Sequence, residues 1–333
     1  MEDFEFNSGE FATHALALTR NFATVNSKEY LAQENDAKLK ALAAQIAKAE
    51  IDPFSLVAAD LEYTKNFALE NILETRYSEL EKAAHYNLLL KGKNFRSAIL
   101  FLLAKSIYYS EAKRSIPFEQ TPFYQKVACL SACIEIAHNA SLLQDDIIDH
   151  ADSRRSTKAA HKVFGPATSI FASDFMISRA SRMLTEVFPE SVHVSQLFST
   201  VLCNLVIGEL IQAKRDMGND LKELENSSKQ VVDFDASGYF DSYIAKTYYK
   251  TASMISLGCR GVAILMNFHE VEAHRSLFDF GAHLGIAFQI HDDILDFTQS
   301  EAQLGKPAFN DLKEGIVTAP IIYGLLEQQH RDR

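Results

Sequence analysis

An all-α fold is predicted by two features of this chain, the spacing of its apolar residues and the scarcity of its chain breakers. Apolar residues recur at three- and four-residue intervals almost throughout, and no stretch alternates with period two between regularly spaced turns. Only 13 Gly and 7 Pro punctuate 333 residues, which fits long helices joined by few turns. With 47% hydrophobic residues the chain can bury a substantial core, so disorder is not its default state.

Taken in order, residues 1–50 read as an N-terminal extension, a targeting segment followed by a helix. Met1–Glu10 is acidic, which does not suit a mitochondrial presequence. Phe11–Ser27 carries no acid and places Arg20 just before Asn21-Phe22-Ala23, as at the end of one. Residues 51–333 read as a single large helical bundle. In its centre, Val127, Leu130, Ile134, Ala137 and Ser141 mark one helix face, and Ile136, Ala140, Leu143 and Ile147 a second, as expected of a helix buried inside a bundle. Pro117 and Pro122 interrupt Glu111–Phe123. Gly165-Pro166 ends one helix and begins the next. Asp216–Gln230 reads as a loop or solvated helix end, and Thr298–Asp311, with Gly305-Lys306-Pro307, as a second loop. No apolar run reaches the ~18 residues of a membrane span, the best, around Ser97–Tyr109, being broken by Lys105. The expectation is a soluble or peripheral protein.

The net charge of −11 excludes a general nucleic-acid binder, which needs a basic field. It also means that an anionic substrate would need its local field inverted, as divalent metal held by carboxylates can do. Cys129, Cys133, Cys203 and Cys259 form no CxxC pair and read as reduced packing residues.

The chemistry concentrates in an internal echo. Asp145-Asp146-x-x-Asp149 and Asp292-Asp293-x-x-Asp296 share the pattern DDxxD, each at the end of an apolar helix. Residues four apart share a helix face, so Asp145 and Asp149 point one way with Asp146 about 100° round. Like charges so placed cost roughly 0.2–0.5 kcal/mol per pair, more beside apolar neighbours, unless a cation lies between them. A single copy also fits a solvated acidic helix end. Two copies favour Mg²⁺, which takes one or two carboxylates plus phosphate oxygens. Lys93 and Arg96 lie three apart at the start of an apolar helix, a placement that suits an anion but is also common on surfaces. Arg154-Arg155 stand close enough beyond Asp149 to clamp a metal-held diphosphate. Lys250 interrupts an otherwise apolar helix, Tyr243–Leu257, where a charge needs a partner.

In order, Gly92-Lys93-x-x-Arg96, Asp145-Asp146-x-x-Asp149-x4-Arg154-Arg155, Lys250-Thr251, Phe288-Gln289-x-x-Asp292-Asp293-x-x-Asp296 and Gly305-Lys306-Pro307 resemble the motifs of the trans-isoprenyl diphosphate synthases. The resemblance runs from about residue 85 to the end. It is nearest to the long-chain, solanesyl-type branch in Lys246–Ala252 and Gly315–Pro320. It implies a bundle of the isoprenoid synthase type with a central substrate cavity, and Mg²⁺-dependent head-to-tail condensation of isopentenyl diphosphate with an allylic diphosphate. Such a long-chain product is a quinone side-chain precursor. Asp145, Asp149 and Asp292 would ligate Mg²⁺, three ions with substrate bound. Asp146, Asp293 and Asp296 would complete the site or its water shell. Arg154, Lys250 and Lys306 would contact the allylic diphosphate, and Lys93, Arg96, His138 and Arg155 the isopentenyl diphosphate. Thr251 and Gln289 would aim oxygen dipoles at the developing allylic cation. His138 gains its role only from its place in the pattern; alone it reads as a core or capping histidine. Ala140 and Ser141, one turn above Asp145, would form a small-residue floor that admits a long tail, although small residues also allow close helix packing.

The resemblance further implies a homodimer or heterodimer, peripheral membrane contact for product release, and a mitochondrial location, with plastid or cytoplasm as alternatives. Asn94, Ser97, Ser156, Ser173 and Ile316 depart from the common pattern. The chain is expected to lack the family's last C-terminal helices. A non-catalytic subunit of a heteromeric synthase is therefore the rival reading, and terpene cyclisation a second one.

Overall fold

The computed structural model describes residues 52–331 apart from 73–75, 91, 111–115, 190, 217–235 and 299–316. The expectations for the N-terminal extension, for Lys306 with its Gly-Lys-Pro motif, for Gly315-Ile316 and for most of the two polar loops lie outside these residues. The all-α expectation holds. A 3₁₀ turn at Ser55–Val57 leads into α1 (Ala58–Ile72), α2 (Ser78–Leu89) and α3 (Phe95–Ser110). After a second 3₁₀ turn at Phe118–Gln120 come α4 (Pro122–Ile148), a hairpin of β1 (Ser153–Arg154) and β2 (Thr157–Lys158), α5 (Ala160–Phe164) and α6 (Pro166–Val187). Then follow α7 (Val192–Asp216), α8 (Ala236–Thr247), a π-helical turn at Tyr248–Ala252, α9 (Ser253–Leu265), α10 (Val271–Thr298) and α11 (Ala319–Arg331).

The chain divides into two compact units. One comprises Pro53–Cys203 with Met254–Gly281; the other holds Asn204–Ser253 and Ala282 onward. The first is organised on α4, which packs most extensively against α6 and also against α1 and α3. The breaks fall where the prolines require. Pro122 opens α4 at a position whose missing N–H costs nothing, and the Thr121 side chain closes the preceding turn on Phe118 O at 2.7 Å. Gly165 takes φ +84°, which a residue with a Cβ rarely adopts, and Pro166 starts α6.

The buried surface of α4 is continuous: Val127–Ile134, Ile136, Ala137, Asn139, Ala140 and Leu143 are all internal. Both apolar faces read from the sequence are thus buried except at Ser141 and Ile147, which are half-buried. The Cys133 thiol donates to Ala180 O of α6 at 3.4 Å, and burial raises its pKa, so this thiol is a packing group. Ser173, where the family pattern has Gly, also bridges these helices, its hydroxyl donating to Ala140 O at 2.9 Å.

One expectation needs correction. Among the described residues, Val192–Gln212 of α7 is long and apolar enough to cross a membrane by length and composition. Ser195, Gln196, Ser199, Asn204 and Glu209 break it into short runs, and this hid it from a search for uninterrupted ones.

Candidate active site

In the first unit, α4 delivers its acidic triplet to the helix C-terminus, with Asp149 as the capping residue. That is the negative end of the helix dipole, where three carboxylates are disfavoured unless positive charge opposes them. Arg154 supplies part of it. Its Nε donates to Asp146 Oδ1 at 2.8 Å, its Nη2 donates to the same oxygen, and Asp145 Oδ2 lies 3.9 Å away. Burial works against the Arg154 charge, but the Asp146 hydrogen bond and the nearby Asp145 and Asp149 raise its pKa on balance. Asp146 is fully buried, and its Oδ2 has no hydrogen-bond partner. A buried carboxylate oxygen left over in an acidic triplet is the donor that a hard cation or its water shell takes. Asp145 is half-buried and Asp149 exposed.

The second arginine is aimed by the hairpin turn. Arg155 and Ser156 both take positive φ, +50° and +64°, so a two-residue turn reverses the chain between β1 and β2. Tyr86 of α2 holds the outgoing strand through its hydroxyl to Lys158 O at 2.8 Å. The Arg155 guanidinium then reaches Leu90 O at 3.1 Å and lies over Gly92, where its Nη1 would be 2.9 Å from a Cβ. Gly92 therefore matters for what it lacks. Arg96 and His138 join this cationic group. Burial, then the charge of Arg155, lowers the Arg96 pKa against the pull of Glu135. His138 lies well below the usual histidine range, first through burial and then through Arg96, Arg155 and Arg154. It is a neutral imidazole among arginines. Lys93 is exposed.

Glu135 is a residue that sequence reasoning missed. Its Oε1 accepts from both the backbone N–H and the hydroxyl of Ser97, each at 3.3 Å. Ser at 97, where the family pattern has Pro, thus provides an N–H that Pro lacks. A cavity of about 310 Å³ opens here, lined by Gly92, Asn94, Ser97, Glu135, Asn139 and Arg155 together with α1 residues. The signal was available, since Glu135 is the lone acid in the apolar run from Val127 to Leu143.

In the second unit, α10 presents Gly285, Gln289 and Asp293 at four-residue spacing along one face. The π-helical turn Tyr248–Ala252 sits against that face. A Cβ at Gly285 would stand 2.5 Å from Ala252 Cα, and one at Gly208 of α7 would stand 2.7 Å from the Lys250 N. Two glycines therefore let α7 and α10 approach the turn that carries Lys250 and Thr251. A π-helical turn inside a helix is a frequent mark of a functional site, and none was legible in the sequence. The Lys250 ammonium donates to Glu209 Oε2 at 3.1 Å and Gln212 Oε1 at 3.0 Å, which is the partnering its apolar helix demanded. Glu209 and Gln212 were not foreseen.

Thr251, buried, donates its hydroxyl proton to Gln289 Oε1 at 3.0 Å, and Gln289 Nε2 donates to Asp293 Oδ1 at 2.9 Å. Tyr243 donates to Asp293 Oδ2 at 2.6 Å. The second aspartate of each triplet is thus internal and held by protein donors, Asp146 by Arg154 and Asp293 by Tyr243 and Gln289. Asp292 is exposed, and Asp296 is buried. Among the described residues, no three His, Cys, Asp or Glu side chains close on one point as a protein-only metal site would. Mg²⁺ differs from such sites, because it keeps waters and takes oxygens from a bound phosphate.

The floor residues separate. Ala140 is fully buried with its carbonyl bonded to Ser173 of α6, whereas Ser141 is half-buried.

Comparison with known proteins gives a consistent picture. A family model described as polyprenyl synthetase matches residues 77–333. The chain is 35% identical to Solanesyl diphosphate synthase 3, chloroplastic/mitochondrial, of Arabidopsis thaliana, over 85% of this chain and 63% of that protein. It is 32% identical to a probable hexaprenyl pyrophosphate synthase, mitochondrial, of Neurospora crassa, over 87% of this chain and 69% of the relative. Of the plant solanesyl synthases it thus spans about 60% of the length. Among solved structures it resembles a polyprenyl synthase from Caulobacter crescentus complexed with calcium and isoprenyl diphosphate. The TM-score is 0.65 and the identity 24%, covering 84% of this chain and 75% of that one, a likeness of fold.

Proposed function

Because the chain belongs to the polyprenyl synthetase family, we propose that it is a trans-polyprenyl diphosphate synthase making a long-chain product. What carries the reading is a pair of intact DDxxD triplets whose second aspartates are anchored by the protein, Asp146 to Arg154 and Asp293 to Tyr243. Asp145, Asp149 and Asp292 are the acids assigned to Mg²⁺, with Asp146 and Asp296 completing the site or its water shell. The orphaned Asp146 Oδ2 and the three acids at the negative end of α4 fit that ion. When bound, Mg²⁺ neutralises the diphosphate and eases its departure.

The chain's own residues do the rest. Arg154, Lys250 and Lys306 hold the allylic diphosphate. Lys93, Arg96, Arg155 and neutral His138 hold isopentenyl diphosphate beside the Glu135 cavity. Thr251 spends its proton on Gln289, so only lone pairs remain to face an electron-poor carbon. The isopentenyl double bond attacks, a proton leaves to the departed diphosphate, and the cycle repeats with the longer chain. No protein nucleophile is required.

The active form is a homodimer or heterodimer. Val206, Ile207 and Leu210, at 68%, 40% and 53% exposure, make an apolar stripe on α7 that suits helix packing. Product release brings peripheral membrane contact. The location is mitochondrial, with plastid as the alternative, in line with the names of the relatives. Purified protein with Mg²⁺, labelled isopentenyl diphosphate and an allylic primer tests the reading. Linear polyprenyl diphosphates are expected. Cyclic hydrocarbon, or no turnover until a partner subunit is added, would replace it with a cyclase or a scaffold.

A further inference from the structure

We infer that Tyr243 is a positioning residue for the prenyl transfer, acting through Asp293 and Gln289 to fix which way the Thr251 hydroxyl points. The inference rests on the functional reading above and adds to it a residue and a direction. Tyr243 is among the largest fully buried side chains, and its phenol sits 2.6 Å from Asp293 Oδ2. The Ala319 backbone N–H approaches the same oxygen at 3.5 Å. Asp293 itself is only 4% exposed.

The consequence runs along α10. An ionised carboxylate can only accept hydrogen bonds, so its other oxygen must face the NH₂ of Gln289 and not the carbonyl. That settles the amide orientation, with Nε2 on Asp293 Oδ1 at 2.9 Å and Oε1 turned to Thr251. An amide oxygen also only accepts, so the Thr251 hydroxyl must donate to it, at 3.0 Å. Each bond in the chain has one allowed polarity, set from the buried carboxylate outward. Thr251 then offers lone pairs, and no proton, to whatever lies on its open side. Without Tyr243 to hold Oδ2 the carboxylate could rotate away from Gln289, and the amide, no longer facing an acceptor, could turn over. Thr251 would then face an NH₂ group, and its proton would be free to point at the substrate. A dipole meant to stabilise positive charge would be reversed.

On this account Asp293 orients and does not ligate metal, in contrast to its place in the acidic triplet. The test is Tyr243→Phe and Asp293→Asn, assayed well below the melting temperature for chain extension and titrated with Mg²⁺. In Tyr243→Phe, kcat should fall about tenfold, as for a misdirected contact at the reacting centre. KM for the allylic diphosphate and the half-saturating Mg²⁺ concentration should stay within twofold. Asp293→Asn should lose kcat in the same way, again at unchanged Mg²⁺ dependence. The double variant should be no worse than Asp293→Asn alone, because both act through one chain. As a readout independent of turnover, the rise in melting temperature caused by Mg²⁺ with inorganic diphosphate should be equal in wild type and Tyr243→Phe. Wild-type kcat in Tyr243→Phe with only a lower melting temperature would reduce Tyr243 to a structural role and overturn the inference alone. A shifted Mg²⁺ requirement in Asp293→Asn would do the same by making Asp293 a ligand. Wild-type protein that extends no prenyl chain would overturn the functional reading, and this inference with it.

Discussion

Replacing Gly208 by alanine tests the idea that close helix approach sets the position of Lys250 and Thr251. A Cβ at 208 would lie 2.7 Å from the Lys250 N, 2.9 Å from its Cα and 3.0 Å from its Cβ. Ordinary carbon contacts are near 3.5–4.0 Å, so α7 and the π-helical turn must separate by about 0.7 Å. Two of the three obstructing atoms are backbone, so no side-chain rotation relieves the clash. Overpacking of this kind costs about 1–3 kcal/mol. Alanine returns about 1 kcal/mol of helix propensity, leaving a net loss of up to about 2 kcal/mol. The melting temperature should drop by up to about 3 °C. Activity should suffer more, because Lys250 and Thr251 move with the backbone. A displacement approaching 1 Å in a reacting group can cost about 10²-fold in turnover. Thermal unfolding followed by circular dichroism, and kcat with KM for the allylic diphosphate at 25 °C, are the assays. A Gly208→Ala protein with wild-type melting and turnover would refute the reasoning.

Other outcomes follow from single residues. Ser141→Phe should shorten the product read by reversed-phase chromatography. Ala140→Phe, buried against α6 and Ser173, should instead destabilise by about 1–3 kcal/mol. Equal product lengths for wild type and Ser141→Phe would remove Ser141 from the floor. Ser156→Gly should raise the melting temperature, since a serine at φ +64° gives up about 1 kcal/mol that glycine does not. The His138 pKa lies below its unfolded value of ~6.5, so the unfolded chain takes the proton first and stability falls as pH drops below ~6.5. This loss amounts to about 1.4 kcal/mol per pH unit until the folded pKa is reached. Urea unfolding at pH 7.5 and 5.5 should show it in wild type and a smaller drop in His138→Gln.

Periodicity carried the helices, because a helix buried on two sides, such as α4, must repeat apolar residues at the helical spacing on both. Charges out of place carried the site. Asp145-Asp146-x-x-Asp149 in an apolar helix and Lys250 in another each demanded partners, and the structure gives Asp146 an arginine and Lys250 a glutamate with a glutamine. The identity of those partners was less legible. Arg154, eight residues from Asp146, was read only as a clamp on the diphosphate, and Glu209 and Gln212 lie 41 and 38 residues from Lys250, in another helix. The π-helical turn was invisible because its residues, Tyr248–Ala252, have the same composition as an α-helical turn. The glycines that let neighbouring helices approach it, Gly208 and Gly285, are far from it in sequence. Tyr243 carries no sequence signal beyond opening the apolar stretch Tyr243–Leu257, because its partner Asp293 lies 50 residues away.

The account depends on both aspartate triplets acting on one diphosphate. A double-mutant cycle with Asp145→Asn and Asp292→Asn, measured by calorimetry as Mg²⁺-dependent binding of a non-reactive allylic thiodiphosphate, addresses that directly. Each single change should weaken binding, and the two should be non-additive by about 1 kcal/mol or more, as for groups that share ions. Effects that add to within about 0.3–0.5 kcal/mol would mean two independent sites, and would contradict the account.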